Sequence, residues 1–234
     1  ATAEKVDDDA PPPKPKYGFL VVASSIFLAI DLATKEWAIN RLLPLKREAP
    51  PFSKSHEDFI VVVPNFFHFE YAENKGGAWG LLGNQPDYIR LPFFFLISAL
   101  AVIFIVSLYR KLEPRQVALK WALPLVLGGA FGNLIDRIRH QYVVDFIDWF
   151  YVTSLGKQWL ADGRSYAEVV NSQTVASSHW PIFNIADVWI VAGVGLMVVD
   201  MFTPRRPVPR RAREAKPTAD SAAKKADEAK SDPK

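Results

Sequence analysis

The sequence predicts an α-helical integral membrane protein with four transmembrane helices and a small β-sheet on the outer surface. Three observations indicate this fold: a long uncharged apolar run, polar residues at one depth of several apolar segments, and basic residues concentrated in alternate connections. The composition agrees, since 50% of the 234 residues are hydrophobic, although polar ends and loops keep the mean hydropathy only slightly positive.

Four apolar segments are the candidate membrane spans. The second of them, 91–109, holds 19 residues without a charge, which is enough to cross ~30 Å of hydrocarbon. The others, 18–30, 121–135 and 188–199, are shorter, and runs of this length are also typical of buried helices in soluble proteins. The first span does not resemble a cleaved signal peptide, because acidic residues precede it and no small-residue cleavage site follows it.

Polar residues within these segments favour the membrane interpretation. If the N-terminus is cytoplasmic, Asp31, Asn133 and Asp187 lie 14, 15 and 16 residues from the inner ends of their helices. At ~1.5 Å per residue, all three lie ~21–24 Å from the inner surface. A shared depth near the outer leaflet is expected of a polar site in a membrane, whereas a soluble bundle provides no reason for it.

Basic residues predict the orientation. The connection 110–120 holds four Lys or Arg in 11 residues and 203–216 holds six in 14, whereas 40–88 holds five in 49 and 138–181 holds three in 44. Lys and Arg near helix ends mark the cytoplasmic side, so both termini are expected inside and the two sparse loops outside. The basic tail is therefore interpreted as a topology signal rather than as a nucleic-acid-binding arm.

The ends of the chain differ in composition from its centre. Residues 1–16 are acidic and then Pro-rich, and residues 204–234 are basic and then of low complexity. Such segments cannot bury enough apolar surface to fold, so both are expected to be disordered cytoplasmic tails. They flank a predicted membrane domain at 17–203.

The outer loops contain the strand candidates. Residues 59–63 and 66–71 are aromatic and β-branched runs separated by a Pro-Asn turn, and 142–147 is a third candidate. Together they predict a small sheet that rests on the outer ends of the helices. The pattern predicts no particular structure for 150–180.

Two aspartates are the candidate catalytic residues. Asp145 follows the third span and Asp187 opens the fourth, so both can reach one point near the outer surface. Neighbouring carboxylates share a proton, so one can deprotonate a water while the other donates a hydrogen bond to a peptide carbonyl. The structural alternative makes Asp145 a loop carboxylate and Asp187 an acidic residue favoured by the dipole at a helix N-terminus.

Other charged residues accompany this pair. Asp31 and Lys35 are spaced i, i+4 on one helix face and can form an ion pair. Asp136 and Arg137 offer a second charge pair, and Arg137 can donate several hydrogen bonds to loop carbonyls. For both pairs, a structural role at an interface is favoured over direct catalysis.

Other functional classes explain fewer of these features. A transporter with a carboxylate proton relay needs polar residues throughout the bilayer, but the span 91–109 offers only Ser98 and Ser107. A structural scaffold leaves the polar motifs at one depth unexplained. The sequence holds no Cys, no Gly-x-Ser-x-Gly elbow and no His-Glu-x-x-His pattern, and its four histidines are scattered through predicted loops.

Five motifs in order resemble those of the lipoprotein signal peptidases, also called signal peptidase II. They are DLATK at 31–35, NKGGAWG at 74–80, GGAFGNLIDR at 128–137, VVDF at 143–146 and FNIADVWI at 183–190. The resemblance covers about 17–203. It implies a bacterial inner-membrane aspartyl endopeptidase that cuts prolipoproteins on the amino side of a diacylglyceryl-modified lipobox cysteine.

The resemblance also implies roles for individual residues. It makes Asp145 and Asp187 the catalytic pair. It implies supporting or substrate-binding roles for nine further residues: Asp31, Lys35, Asn74, Gly77, Asn133, Asp136, Arg137, Asn184 and Ala186. The expected partners are diacylglyceryl-modified prolipoproteins, membrane lipid and globomycin-type inhibitors, with no nucleic acid, no cofactor and no metal.

The chain departs from the family pattern at several positions. Gln141 stands where the family usually has Gly, Trp79 where Phe is commoner, and Gly77 where Ala is commoner. Residues 150–178 look like an insertion, because the link between the two aspartates is usually much shorter.

Overall fold

The computed structural model describes residues 16–48, 58–77, 80–113, 115–172 and 176–203. The two tails, Trp79 and part of each outer loop lie outside these ranges, so the expectations about them stay predictions. In chain order the elements are α1 (Tyr17–Glu48), β1 (Phe59–Val63), β2 (Phe67–Asn74), α2 (Asp87–Arg110), α3 (Val117–His140), β3 (Val143–Val152), α4 (Ser154–Ala161), α5 (Tyr166–Val170), β4 (Ser177–His179) and α6 (Ile185–Phe202).

Among the described residues, four helices are long and apolar enough to cross a membrane: α1, α2, α3 and α6. They contain the four predicted spans and confirm the predicted fold class. Large apolar side chains such as Leu96, Ile103 and Val191 lie exposed along them. Lipid is the solvent that suits such surfaces, and an α-helix satisfies its own backbone hydrogen bonds there.

The first helix is longer than its apolar run predicts. α1 continues to Glu48, so the stretch 40–88, which is expected to lie outside the membrane, begins as helix. A helix of 32 residues spans ~48 Å, more than the ~30 Å of hydrocarbon. Its last turns carry Ala38 and Leu42, which are fully buried against a cluster of sheet residues that includes Tyr71. The far end of α1 therefore supports the sheet.

The described strands form one antiparallel sheet in the order β1-β2-β3-β4. Phe67 lies opposite Trp149 and Asn74 opposite Val143, with a register shift between Phe69 and Ala72. The third strand continues to Val152, past its predicted end at 147. A strand of ten residues offers more cross-strand neighbours than the predicted six, and Asp145 is its third residue.

The insertion folds onto this sheet. Thr153 caps α4 by accepting a hydrogen bond from the Gly156 amide, and Ser165 and Glu168 form a capping box at α5. Val169 is fully buried in a cluster with Val170, Ala176, Phe59 and Phe150. The segment without a predicted shape therefore has its own helices and the fourth strand.

Glycines allow the membrane helices to approach closely. A Cβ atom at Gly132 of α3 would lie 2.1 Å from Asp31 Oδ2, and one at Gly129 would lie 2.5 Å from the Ala186 carbonyl oxygen. In α6, a Cβ atom at Gly193 would lie 2.8 Å from the Ala122 carbonyl oxygen. Small residues are the usual means of close helix packing in membranes.

Replacing Gly193 by Ala is expected to lower the Tm of the detergent-solubilised protein. The added methyl group would lie 2.5 Å from Val126 Cγ2, and overpacking of this kind costs ~1–3 kcal/mol. Gly195→Ala is the matched control on the same helix, because nothing lies within 4 Å of its added atom. Equal Tm values for the two variants would contradict the packing of α6 on α3.

Candidate active site

Asp145 lies near the start of β3, opposite Ala72 of β2. Its side chain is buried, with 2% of its surface exposed. Asn74 Nδ2 donates to Asp145 Oδ2 at 2.9 Å, and Asn184 Nδ2 donates to Asp145 Oδ1 at 2.6 Å. Each carboxylate oxygen therefore has an amide donor, and both donors are residues for which the sequence predicts a supporting role.

Asp187 lies in the first turn of α6 and is half-buried. Its carboxylate accepts a hydrogen bond from Asn133 Nδ2 at 3.0 Å and one from the Asn184 amide at 3.2 Å. The Asp187 amide in turn donates to Asn184 Oδ1 at 3.1 Å, so these two residues cap the helix reciprocally. Asn184 thus contacts both aspartates and joins them into one site.

The two carboxylates have unequal surroundings. Burial, followed by the nearby negative charge of Asp187, raises the pKa of Asp145 to about 7, while the hydrogen bonds from Asn74 and Asn184 oppose the rise. Asp145 therefore keeps its proton to a much higher pH than an ordinary aspartate does. Asp187 is less buried than Asp145 and accepts hydrogen bonds from two N–H donors.

Lys35 lies at the centre of a buried ionic network next to the residues that hold Asp145 and Asp187. Its Nζ atom is 2.9 Å from Asp31 Oδ2, 3.0 Å from Asp136 Oδ2 and 3.0 Å from Asn133 Oδ1. The predicted Asp31–Lys35 pair is thus present. The suggested pairing of Asp136 with Arg137 is replaced by a pairing with Lys35, because α1 and α3 bring Lys35 against Asp136.

The two carboxylates of this network also hold the backbone of the site. Asp31 Oδ1 accepts a hydrogen bond from the Ala186 amide at 2.8 Å, and Asp136 Oδ2 accepts one from the Val144 amide at 3.1 Å. Ala186 directly precedes Asp187, and Val144 directly precedes Asp145. The network therefore anchors the residue before each aspartate of the pair.

Arg137 holds the segment that follows β2. It donates to the Gly76 carbonyl at 2.9 Å and to the Asn133 carbonyl at 3.2 Å, and it lies 4.1 Å from the centre of the Phe94 ring. A Cβ atom at Gly77 would lie 3.1 Å from that ring, so the loop lies tightly against α2. The predicted donation from Arg137 to loop carbonyls is observed.

Arg90 is a buried residue that the sequence reasoning did not single out. It donates to the carbonyl oxygens of Lys75 and Gln141, the latter at 2.8 Å, and pairs with Asp87. Lys75 follows Asn74, so Arg90 supports the segment that presents this donor to Asp145. The sequence does contain a signal for this role. Arg90 directly precedes the apolar run 91–109, where an unpaired charge would be costly, and it lies three residues after Asp87, which can pair with it.

Gln141 adopts a left-handed backbone conformation, with φ of 67°. It ends α3, and its amide donates to the Arg137 carbonyl at 3.1 Å. Glycine tolerates this conformation without strain, whereas other residues pay ~1–2 kcal/mol. Gln141 therefore replaces the usual Gly but keeps the left-handed backbone conformation that Gly would favour.

A second polar cluster lies on the sheet. Ser177 Oγ is 3.0 Å from His179 Nε2, and His179 Nδ1 is 2.6 Å from Asp148 Oδ2. These distances resemble those of a serine hydrolase, but the Ser177 side chain is fully buried and its hydroxyl donates to the Val170 carbonyl at 2.8 Å. This serine is therefore unsuited to nucleophilic attack.

Comparison with protein families gives a match over most of the chain. The model of the family described as signal peptidase (SPase) II matches residues 23–203. A protein named lipoprotein signal peptidase from Syntrophotalea carbinolica is 36% identical over 186 residues, which cover 79% of this chain and 91% of the relative. Proteins of the same name from Anaeromyxobacter sp. and Geobacter metallireducens are 36% and 34% identical, over 80% and 82% of this chain and 86% and 96% of their own.

Solved structures show the same fold. One described as a bacterial membrane enzyme, obtained by the in meso method at 2.3 Å resolution, is 25% identical with a TM-score of 0.54. The similarity covers 82% of this chain and 92% of that one.

The carboxyl group of Asp145 is expected to titrate near pH 7, well above the ordinary ~3.9, and Asp187→Asn should lower its pKa by removing the neighbouring charge. The folded protein then keeps a proton that the unfolded chain has lost, so the free energy of unfolding should fall as pH rises from ~4 to ~7. The infrared absorption band of the protonated carboxyl group, recorded as a function of pH, measures the pKa of Asp145. The band is assigned to Asp145 by its loss in Asp145→Asn. Titration near pH 4 would contradict the account of the site.

Proposed function

Because the chain belongs to the signal peptidase II family, we propose that Asp145 and Asp187 form the aspartyl dyad of a peptidase that removes signal peptides from prolipoproteins. The observation that carries this proposal is the bridge through Asn184, which contacts both carboxylates. Two carboxylates in one site, only one of them deeply buried, provide a proton donor and a proton acceptor at the same pH.

In the proposed reaction the protonated Asp145 donates a hydrogen bond to the carbonyl oxygen of the scissile peptide. The ionised Asp187 accepts a proton from a water molecule as the water attacks the carbonyl carbon. The proton then passes to the leaving amine, and no covalent intermediate with the protein forms. Asn74, Asn133 and Asn184 keep both carboxylates oriented during these steps.

The proposed cleavage position is the amino side of a diacylglyceryl-modified lipobox cysteine. An apolar groove of about 400 Å³ is suited to the acyl chains. It is lined by Thr34, Trp37, Phe67, Phe69, Phe146, Ile147 and Ile185. Phe146 directly follows Asp145 in β3, and Ile185 lies two residues before Asp187, so the groove is lined by residues of the same two elements that carry the dyad. Globomycin-type inhibitors are proposed to occupy the substrate site.

The proposed location is the bacterial inner membrane, with both termini in the cytoplasm and the dyad near the outer leaflet. The distribution of Lys and Arg supports this orientation. The sheet and the insertion then lie on the outer side, where an exported prolipoprotein would meet them.

Asp145→Asn and Asp187→Asn are each expected to lower kcat for cleavage of a lipidated prolipoprotein by a factor of ~10²–10⁴, because each removes one partner of the acid–base pair. Asp162→Asn is the control, since Asp162 is an exposed residue at the end of α4. Circular dichroism and Tm verify that the variants are folded. Wild-type rates in either dyad variant would refute the assignment.

The orientation predicts that reporter fusions at Lys111 and Gly163 lie on opposite sides of the membrane. Lys111 lies between α2 and α3 on the side rich in basic residues, and Gly163 lies in the insertion. Activity of an alkaline phosphatase fusion measures exposure to the outer side. The same activity at both positions would refute the four-helix topology.

Loss of the diacylglyceryl group is expected to lower kcat/KM by ~10²-fold or more, because the lipid fixes the scissile bond relative to the dyad. The measurement compares two peptides of the same sequence, one lipidated at the lipobox cysteine and one unmodified. A substrate with one altered residue away from the cleavage site serves as the control and should lose much less. Equal kcat/KM for the lipidated and unmodified peptides would show that the peptide alone is recognised.

A further inference from the structure

Four side chains from three strands converge on the face of the sheet that the insertion covers. His68 and Glu70 lie on β2, Asp148 on β3 and His179 on β4. His68 is paired in register with Asp148, and His179 with Phe150, two residues along β3. Because side chains alternate along a strand, this register places all four on one face. The expectation that the histidines occupy scattered loops is wrong for His140, which lies on α3, and for His179, which lies on β4, whereas His68 lies within the strand predicted at 66–71.

The donor atoms of this cluster are close together and shielded from water. His68 Nε2 lies 2.9 Å and His179 Nδ1 lies 2.6 Å from the same oxygen, Asp148 Oδ2. Glu70 Oε2 lies 3.5 Å from His68 Nε2, and one donor atom from each of His68, Glu70 and Asp148 lies within 4.8 Å of the others. The His68 and Asp148 side chains are 0% and 1% exposed, and those of Glu70 and His179 are 14% and 13% exposed.

Hydrogen bonds within the cluster do not satisfy all of its polar atoms. Two imidazole nitrogens point at Asp148 Oδ2, while the buried Asp148 Oδ1 has no hydrogen-bond partner among the described residues. The single N–H that His68 Nε2 can carry faces two carboxylate oxygens at once. Two carboxylates in a buried site require compensating positive charge. Donor atoms that converge on one point are typical of a cation site.

We propose that His68 Nε2, His179 Nδ1, Asp148 and Glu70 bind a divalent transition-metal ion, with Zn²⁺ as the ion that suits the donor set. Two imidazoles and two carboxylates form a tetrahedral N/O set, and their two negative charges balance the ion. Ligands ~2.0–2.1 Å from a tetrahedral ion lie ~3.3 Å apart, a separation that the observed distances of 2.6, 2.9 and 3.5 Å reach after small side-chain movements.

The second nitrogen of His179 supports this assignment. His179 Nε2 lies 3.1 Å from the Val170 carbonyl oxygen, which can only accept a hydrogen bond. A neutral imidazole that binds a metal through Nδ1 carries its proton on Nε2 and usually donates it to a carbonyl or carboxylate of this kind. With four protein ligands the site has no open position, so it is structural. It would fasten β4 and β2 to β3, the strand that carries Asp145.

Co²⁺ titration of the protein tests this proposal independently of peptidase activity. Full-length protein without a polyhistidine tag is purified in detergent, treated with a chelator and desalted. Co²⁺ should produce visible d–d absorption bands that saturate at one ion per chain, and Zn²⁺ should abolish them. Wild-type protein that shows no such bands at a tenfold excess of Co²⁺ overturns the proposal, and the cluster is then a hydrogen-bonded imidazole–carboxylate network.

Three single-residue variants assign the ion to these residues. Glu70→Gln and His179→Gln should each lower the affinity for Co²⁺ at least tenfold and change the absorption bands. His140→Gln is the matched control, because His140 lies on α3 and stacks on Tyr142 away from the cluster. Its bands and its affinity should equal those of the wild type. Bands that persist unchanged in both Glu70→Gln and His179→Gln would overturn the proposal.

Discussion

The buried ammonium group of Lys35 is the constraint on which the rest of the candidate site depends. It lies between the carboxylates of Asp31 and Asp136 at 2.9 and 3.0 Å, and only 2% of its side chain is exposed. An unpaired charge at this position would cost several kcal/mol, so α1 and α3 can pack here only with all three groups present. The other oxygen of Asp31 accepts a hydrogen bond from the Ala186 amide, and the same Asp136 oxygen that faces Lys35 accepts one from the Val144 amide, which extends the network into α6 and β3.

This arrangement explains how one site is built from distant parts of the chain. Fixing the amides before Asp145 and Asp187 fixes the directions of the two side chains, and Asn184 then sets their spacing. The sheet buries Asp145 more deeply than α6 buries Asp187, and this difference is the basis of the separate roles proposed for them. The proposed acid–base chemistry thus depends on an ionic network that is not itself part of the proposed dyad.

The sequence predicts those features that depend on local pattern and misses those that depend on distant partners. Apolar length and charge position predicted the four spans, and polar residues at one depth pointed to Asp31, Asn133 and Asp187, which lie together in the structure. The partner of Asp136, the role of Arg90 and the extension of α1 to Glu48 arise from tertiary packing, which periodicity does not show. The capping box at Ser165 and Glu168 was a readable local signal for α5, although nothing in it specified where that helix would pack.

A double-mutant cycle on the ionic network tests the central claim most directly. The kcat for cleavage of a lipidated prolipoprotein is measured in Lys35→Met, Asp136→Asn and the double variant, per mole of folded protein. If the network acts as one unit, the double variant should be no slower than the slower single variant, because the first change already releases the backbone of the site. Losses that multiply in the double variant would show that Lys35 and Asp136 act independently, and would contradict this account.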